Sequence, residues 1–371
     1  MTLWIMKTLH HWFGVVFAAF FFVISLSGSW LVIDKHLFEP SISPAQERVE
    51  LPRTPAQESA AILKILESYP VEHMSQIGLP IQERPYYHVK RGDGGVDYFS
   101  PQSLTVFTKT KSGPVTHFMT RVHKNLLNPW GIGHEIVIWT GLVAIFLAVT
   151  GLIIFIPSRR SFRKNRILLP QEITFKDVRR THLSSGIVFS VFIIFFGATG
   201  WVIGEPEDAR EMLSSPDEQR LTISAGDIPK LIEGVMVELP HQELTVIDFS
   251  KSEQEQALYL YTKKADDFAL YGNRRVKIDL AEGGVSYLSS GGEKGFSSQV
   301  LNNAYSLHTG QGRSAVYKIL LSILGVVVAI VSLMGLMSYI LKWRTKISKV
   351  CLLYTSPSPR DRTRSRMPSS A

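Results

Sequence analysis

Cysteine is almost missing from this 371-residue chain: the single one, Cys351, lies close to the C-terminus. Disulfides therefore hold none of it together, and no Cys-x2-Cys pair offers a zinc or redox site. A phosphate-cradling loop and a nucleophile elbow are missing too. Gly310-x-Gly312-x2-Ala315 matches a dinucleotide fingerprint loosely, without the strand-helix-strand unit that would give it meaning, and reads as the lead-in to a helix. Any nicotinamide or flavin chemistry thus falls to a partner. The most telling absence is of charge. Trp12–Ile33, Ile136–Ile156, Leu183–Ile203 and Ile319–Leu341 contain no Asp, Glu, Lys or Arg, and each is about as long as a bilayer core requires. Backbone amides find no water in lipid, so these stretches must be helices that satisfy their own hydrogen bonds. With no acidic or basic side chain inside them to couple ions, a small-solute transporter is disfavoured.

The charges that are present set the orientation. Between the second and third stretches stand Arg159, Arg160, Arg163, Lys164, Arg166, Lys176, Arg179 and Arg180, against Glu172 and Asp177. Basic residues beside spans stay on the cytoplasmic side, and Lys7, Lys342, Arg344 and Lys346 agree. The net charge of +8 is therefore a topology signal and no argument for nucleic acid. The first stretch exceeds a signal-peptide core and is followed by Ser29-Trp30-Leu31-Val32-Ile33, which offers no small-x-small cleavage site, so it reads as a retained anchor.

The expected layout is a first span with a cytoplasmic N-terminus over 1–33, an outer domain over 34–135, a second span at 136–156 and a basic cytoplasmic loop at 157–182. A third span at 183–203, a second outer domain over 204–318, a fourth span at 319–341 and a cytoplasmic tail over 342–371 complete it. From about Tyr354 the tail turns to Ser, Pro and Arg without apolar periodicity and reads as sequence foreign to the fold. In the outer segments, residues 86–90, 96–99 and 104–107, then 257–261, 276–280 and 285–288, alternate as strands, with turns at Ser100-Pro101-Gln102-Ser103 and Glu282-Gly283-Gly284. Glu58 to Tyr69 and Ala225 to Leu239 have helical periodicity, which makes each segment α+β with its own small antiparallel sheet.

An internal repeat carries the functional signal. His10-x3-Gly14-x13-Gly28 recurs without a gap as His182-x3-Gly186-x13-Gly200. Gly141-x9-Gly151 recurs as Gly325-x9-Gly335, with His123 eighteen residues before the first of these and His308 seventeen before the second. Each half is thus helix, outer domain, helix, in parallel duplication. Glycine in a membrane helix admits another helix or a flat macrocycle close to the backbone, so all eight glycines are candidate packing positions. Histidine there is costly and marks function. A lone histidine at a helix end is an ordinary interfacial side chain, but four in two matched pairs argue for ligation. Two imidazoles facing one another suit six-coordinate haem iron, with no open position for oxygen. His10 with His182 forms the expected cytoplasmic-side pair, and His123 with His308 the outer pair. His134 lies nearer the bilayer than His123 and is the reserve ligand, while His11 points about 100° from His10 and is a weaker reserve. His36, His73, His88, His117 and His241 read as surface or strand residues.

Leu9-His10-His11-Trp12-Phe13-Gly14, Ser27-Gly28, Val122-His123-Lys124-Asn125-Leu126-Leu127, Thr150-Gly151, Thr181-His182, Thr199-Gly200 and Leu307-His308-Thr309-Gly310 resemble the PepSY-associated transmembrane proteins, often called iron-regulated membrane proteins. The likeness runs to about Lys349 and departs in His11, where a basic residue is usual, and in the tail. It implies a four-helix haem-binding bundle with two α+β PepSY-like periplasmic domains in a bacterial inner membrane and, in some members, reduction of ferric siderophores. The expected function is a di-haem b-type electron-transfer protein. It would take electrons from a cytoplasmic donor or flavin reductase and reduce a periplasmic ferric chelate. The alternative is a non-enzymatic membrane protein whose PepSY-type domains bind or restrain a peptidase or other envelope partner.

Overall fold

The computed structural model describes residues 2–37, 53–158, 170–205 and 216–355, apart from 83, 129–130, 222, 224–226, 251–255, 265–266, 268, 273, 282–283 and 291–295. The basic run Arg159 to Arg166, Glu282-Gly283 of the expected turn, Ala225 at the expected helix start and the tail after Thr355 lie outside the described residues.

Three helices among the described residues are long and apolar enough to cross a membrane: α1 (Thr2–Leu31), α4 (Ile132–Phe155) and α9 (Ala315–Thr355). The third expected span is broken. α5 (Phe175–Val188) and α6 (Ser190–Gly204) meet at a 64° bend, and together they make a fourth span only if the pair is counted as one. At the break the Ser190 hydroxyl donates to the Ile187 carbonyl at 2.8 Å.

The chain divides into two compact units. One comprises residues 1–23, 143–194 and 326–371; the other comprises 24–142 and 195–325. The second unit holds a single antiparallel sheet of nine strands. These are β1 (Met74–Gly78), β2 (Tyr87–Arg91), β3 (Gly95–Phe99), β4 (Val106–Lys111), β5 (Pro216–Leu221), β6 (Glu243–Asp248), β7 (Ala257–Lys263), β8 (Arg274–Asp279) and β9 (Val285–Ser290), in the order β4-β3-β2-β1-β6-β7-β8-β9-β5. Sequence periodicity assigns one small sheet to each outer segment. The structure instead joins them through β1 and β6, whose seam pairs Ile77 with Ile247.

One face of this sheet carries the core. Ile77, Tyr87, Val89, Ile247, Leu258, Leu260, Val276 and Ile278 are buried under α2 (Pro55–Ser68) and α7 (Ile228–Glu238). Ile62 and Ile65 of α2 and Ile232 and Val235 of α7 close the same cluster, and Ser59 bonds the Pro229 carbonyl across the helix pair. Thr54 caps α2 in a complete capping box with Gln57, which fixes where the helix starts. Two further helices, α3 (Pro114–Asn125) and α8 (Phe296–Thr309), directly precede α4 and α9. Leu126 and Leu127, at φ 50 and 63, turn the chain out of α3, and Gly310 and Gly312, at φ 76 and 72, turn it out of α8. The loose dinucleotide match is therefore a left-handed turn between two helices.

Candidate functional site

Four of the eleven histidines meet in two pairs. His10 of α1 and His182 of α5 have ring centroids 6.4 Å apart with planes at 59°. His123 of α3 and His308 of α8 have centroids 6.2 Å apart with planes at 44°. The first pair lies wholly within the first unit and the second wholly within the second.

Each of these rings rests on a glycine of another helix. A Cβ added at Gly151 would lie 3.3 Å from the His10 ring, at Gly335 3.0 Å from His182, at Gly28 2.8 Å from His123 and at Gly200 3.3 Å from His308. An alanine at any of the four would press on the imidazole. In every case the histidine and its glycine belong to the same half of the sequence, and the two halves make corresponding contacts.

The hydrogen bonds around the rings set their tautomers. His182 Nδ1 lies 3.0 Å from the Val331 carbonyl and His123 Nδ1 lies 2.9 Å from the Ile24 carbonyl, so both nitrogens must donate. His10 Nδ1 meets the Thr150 hydroxyl at 2.9 Å, and His308 Nδ1 meets the Thr199 hydroxyl at 2.9 Å. Those hydroxyl protons are already given to the carbonyls of Phe146, at 2.8 Å, and Phe195, at 2.7 Å. The hydroxyls can only accept, and Nδ1 donates here as well. All four rings thus carry their proton on Nδ1 and keep the Nε2 lone pair for a ligand.

The paired rings fit one group in particular. A bare metal ion asks for three or more protein ligands, and among the described residues no three His, Cys, Asp or Glu side chains gather. Two imidazoles suit iron whose other positions a macrocycle fills. An imidazole nitrogen meets a metal at about 2 Å and its ring centre lies about 1 Å further, so two imidazoles that held one iron between them would have centroids about 6 Å apart, and the pairs stand at 6.4 and 6.2 Å. Around His10 and His182 there is also room. A cavity of about 810 Å³ opens there, bordered by Gly14 and Gly186, where an added Cβ would meet nothing within 4 Å. That volume is in the range of cofactor sites.

The eight repeated glycines divide by use. Gly28, Gly151, Gly200 and Gly335 seat imidazoles, and Gly14 and Gly186 border the cavity. Gly141 and Gly325 bring helices together. A Cβ at Gly141 would lie 3.2 Å from the Gly197 carbonyl, and one at Gly325 would lie 2.2 Å from the Ser29 hydroxyl. His11 packs on Tyr339 and Trp12. His134 stands apart from the second pair, with Nδ1 3.4 Å from the Lys124 carbonyl and Nε2 3.8 Å from Glu205. The residues that orient the rings, Thr150, Thr199, Val331 and Ile24, escape sequence reasoning. Thr150 and Thr199 had a signal in the recurring Thr-Gly dipeptides, whereas Ile24 and Val331 act through backbone carbonyls and have none.

Among comparisons with known proteins, the family described as PepSY-associated TM region matches residues 7–342. No curated protein matches the chain.

Proposed function

As a member of the PepSY-associated TM region family, the protein is, we propose, an inner-membrane electron-transfer protein holding two b-type haems, which passes electrons from a cytoplasmic donor to a periplasmic ferric chelate. The observation that carries this reading is the repeated pair of imidazoles, each seated on a glycine and each with Nδ1 bonded, at centroid distances of 6.4 and 6.2 Å. Haem iron between two imidazoles exchanges single electrons and offers no open position to oxygen.

The protein's own contribution is orientation. The Thr150 and Thr199 hydroxyls and the Val331 and Ile24 carbonyls hold the rings and raise the basicity of Nε2. The four glycines let the rings lie against helix backbones. Lys176, Arg179 and Arg180 at the start of α5 support a cytoplasmic location for that end, and with it both termini inside and the sheet domain outside. Siderophores grip Fe(III) through hard oxygen donors, so adding one electron to give Fe(II) loosens the chelate and serves as a release step.

The test is a pyridine haemochrome assay on full-length protein expressed with ample haem. Two haems per chain with a b-type spectrum are expected. A colourless preparation would overturn the reading and favour the peptidase-binding alternative.

A further inference from the structure

The sheet face opposite α2 and α7 is built differently from the core face. Strand registers place Tyr98, His88, Gly78, Val246, Tyr261 and Arg275 in one row across β3, β2, β1, β6, β7 and β8. At the middle of the row a Cβ on Gly78 would lie 1.8 Å from the His88 ring, so glycine there is what lets the imidazole lie over β1. Above the row is a cavity of about 370 Å³, covered by Leu301, Ala304 and Tyr305 of α8 and by Leu270.

Two polar atoms at this cavity are buried and have no protein partner: Nδ1 of His88 and Nε of Arg275. A buried donor or acceptor left unmade costs about 1–3 kcal/mol, so two beside one cavity ask for a ligand. Burial, reinforced by the Arg84 and Lys90 charges, pushes the His88 pKa down to about 3, so the ring is neutral and can donate a single hydrogen bond. Lys90 and Arg275 line the cavity, and no acidic side chain is among the described residues that do. Among the described residues the lining is therefore cationic. Its remaining walls are flat and aromatic: Arg275 stacks over Tyr261 at 5.5 Å, and His88 lies 5.9 Å from Tyr271.

We propose that this cavity is a binding site for a small planar carboxylate, its oxygens held by Arg275 and Lys90 and its ring between the tyrosines and α8. A guanidinium fork matches a carboxylate in shape as well as charge, and aromatic walls select a flat body. The site needs no haem, so its test stands apart from that of the proposed function.

The probe is salicylate, titrated by calorimetry into the full-length protein in detergent, with the neutral amide salicylamide as comparator. Saturable single-site binding of salicylate is expected, with salicylamide at least about tenfold weaker. Arg275→Gln should weaken salicylate by about tenfold or more. Lys90→Gln, at an exposed position that leaves the fold alone, should weaken it a few-fold. Absence of saturable binding up to about 10 mM, equal affinity for the amide, or unchanged affinity in both variants would overturn the proposal. The haem count is unaffected by either result.

Discussion

The two histidine pairs reach the same local geometry from opposite kinds of segment. His10 and His182 sit on α1 and α5, which belong to the apolar stretches that can cross a membrane. His123 and His308 sit on the short helices α3 and α8, which owe their places to left-handed turns at Leu126, Leu127, Gly310 and Gly312. The acceptors are also exchanged between halves. In the first pair the first-half ring bonds a hydroxyl and the second-half ring a carbonyl, whereas in the second pair the first-half ring bonds the carbonyl and the second-half ring the hydroxyl. The separation of the paired rings is kept more closely than the kind of segment or the hydrogen-bond acceptor that presents them.

The strongest way to break this likeness is to remove one ring from each pair. His182→Ala should lose the haem of the first pair and keep the other, and His308→Ala should do the reverse, each reading one haem per chain in place of two. His134→Ala and His11→Ala should leave the count at two. In sealed vesicles of known orientation, His182→Ala should also lose reduction driven from the cytoplasmic side while its remaining haem stays reducible from the other. Normal cytoplasm-driven reduction in that variant would remove the first pair from the electron path. The next effect is steric. Gly14→Leu should fill the cavity beside His10 and lower occupancy of the first pair several-fold with the second unchanged, whereas Gly141→Leu should force α4 from α6 and destabilise the fold by about 1–3 kcal/mol. Equal haem content in Gly14→Leu and the parent would show that the cavity is not where the macrocycle lies.

How much of this was legible follows the same division. The charge-free stretches announce helices because lipid leaves the backbone no alternative, and the His and Gly spacing announces the pairs because the repeat preserves it. β2, β3, β7, β8 and β9 were readable from alternation. β1 and β6 were not: they lie in the middle of the sheet, where Leu244, Thr245, Val246 and Ile247 are buried in succession and Met74, Ile77 and Gly78 are buried in β1, so neither strand alternates. Their loss made one sheet look like two. The bend at Phe189 was hidden because the charge-free run passes through it without Pro or any other break signal. His88 read as an ordinary strand residue, since only the register with Gly78 reveals that its ring has room to lie flat.

A smaller contrast concerns acid. α3 and α8 are continuous in sequence with β4 and follow β9, so loosening the sheet domain should reach the second pair before the first. Two carboxyls in that domain respond in opposite senses. Burial pushes Asp97 up, but the Tyr69 hydroxyl, Arg91 and Lys109 outweigh it and hold its pKa below the usual carboxylate value. Its contribution is present at neutral pH and is lost as pH falls through that depressed value, below about 4. Burial raises Glu58, against the opposing bond from Tyr87, so its cost at neutral pH is relieved on acidification. Thermal unfolding followed against pH should show a gain first and a loss at lower pH. Asp97→Asn should abolish the low-pH loss and cost about 1–2 kcal/mol at pH 7. A variant whose stability parallels the parent below pH 4 would exclude Asp97 as the cause.

The smallest expected effect is electronic, and it separates the hydroxyl-bonded rings from the carbonyl-bonded ones. Thr199 accepts from His308 Nδ1 because its own proton is held by the Phe195 carbonyl. Valine has the same shape without the oxygen, so Thr199→Val should leave the ring seated on Gly200 while depriving Nδ1–H of its acceptor. A less polarised Nδ1–H makes Nε2 a weaker donor, and a weaker donor stabilises Fe(III) less than Fe(II). The midpoint potential of the second pair's haem should therefore rise, by an amount on the order of tens of millivolts. Thr150→Val should do the same at His10 and leave the second haem unmoved. His182 provides the internal control, because its acceptor is a backbone carbonyl and the residue before its glycine is Met334, so no side-chain hydroxyl there can be removed. Redox titration of both haems in each variant reads the shift, and the haem count confirms that ligation survives. A Thr199→Val protein with two haems and both potentials unchanged would mean that the hydroxyl holds the ring in place without tuning it.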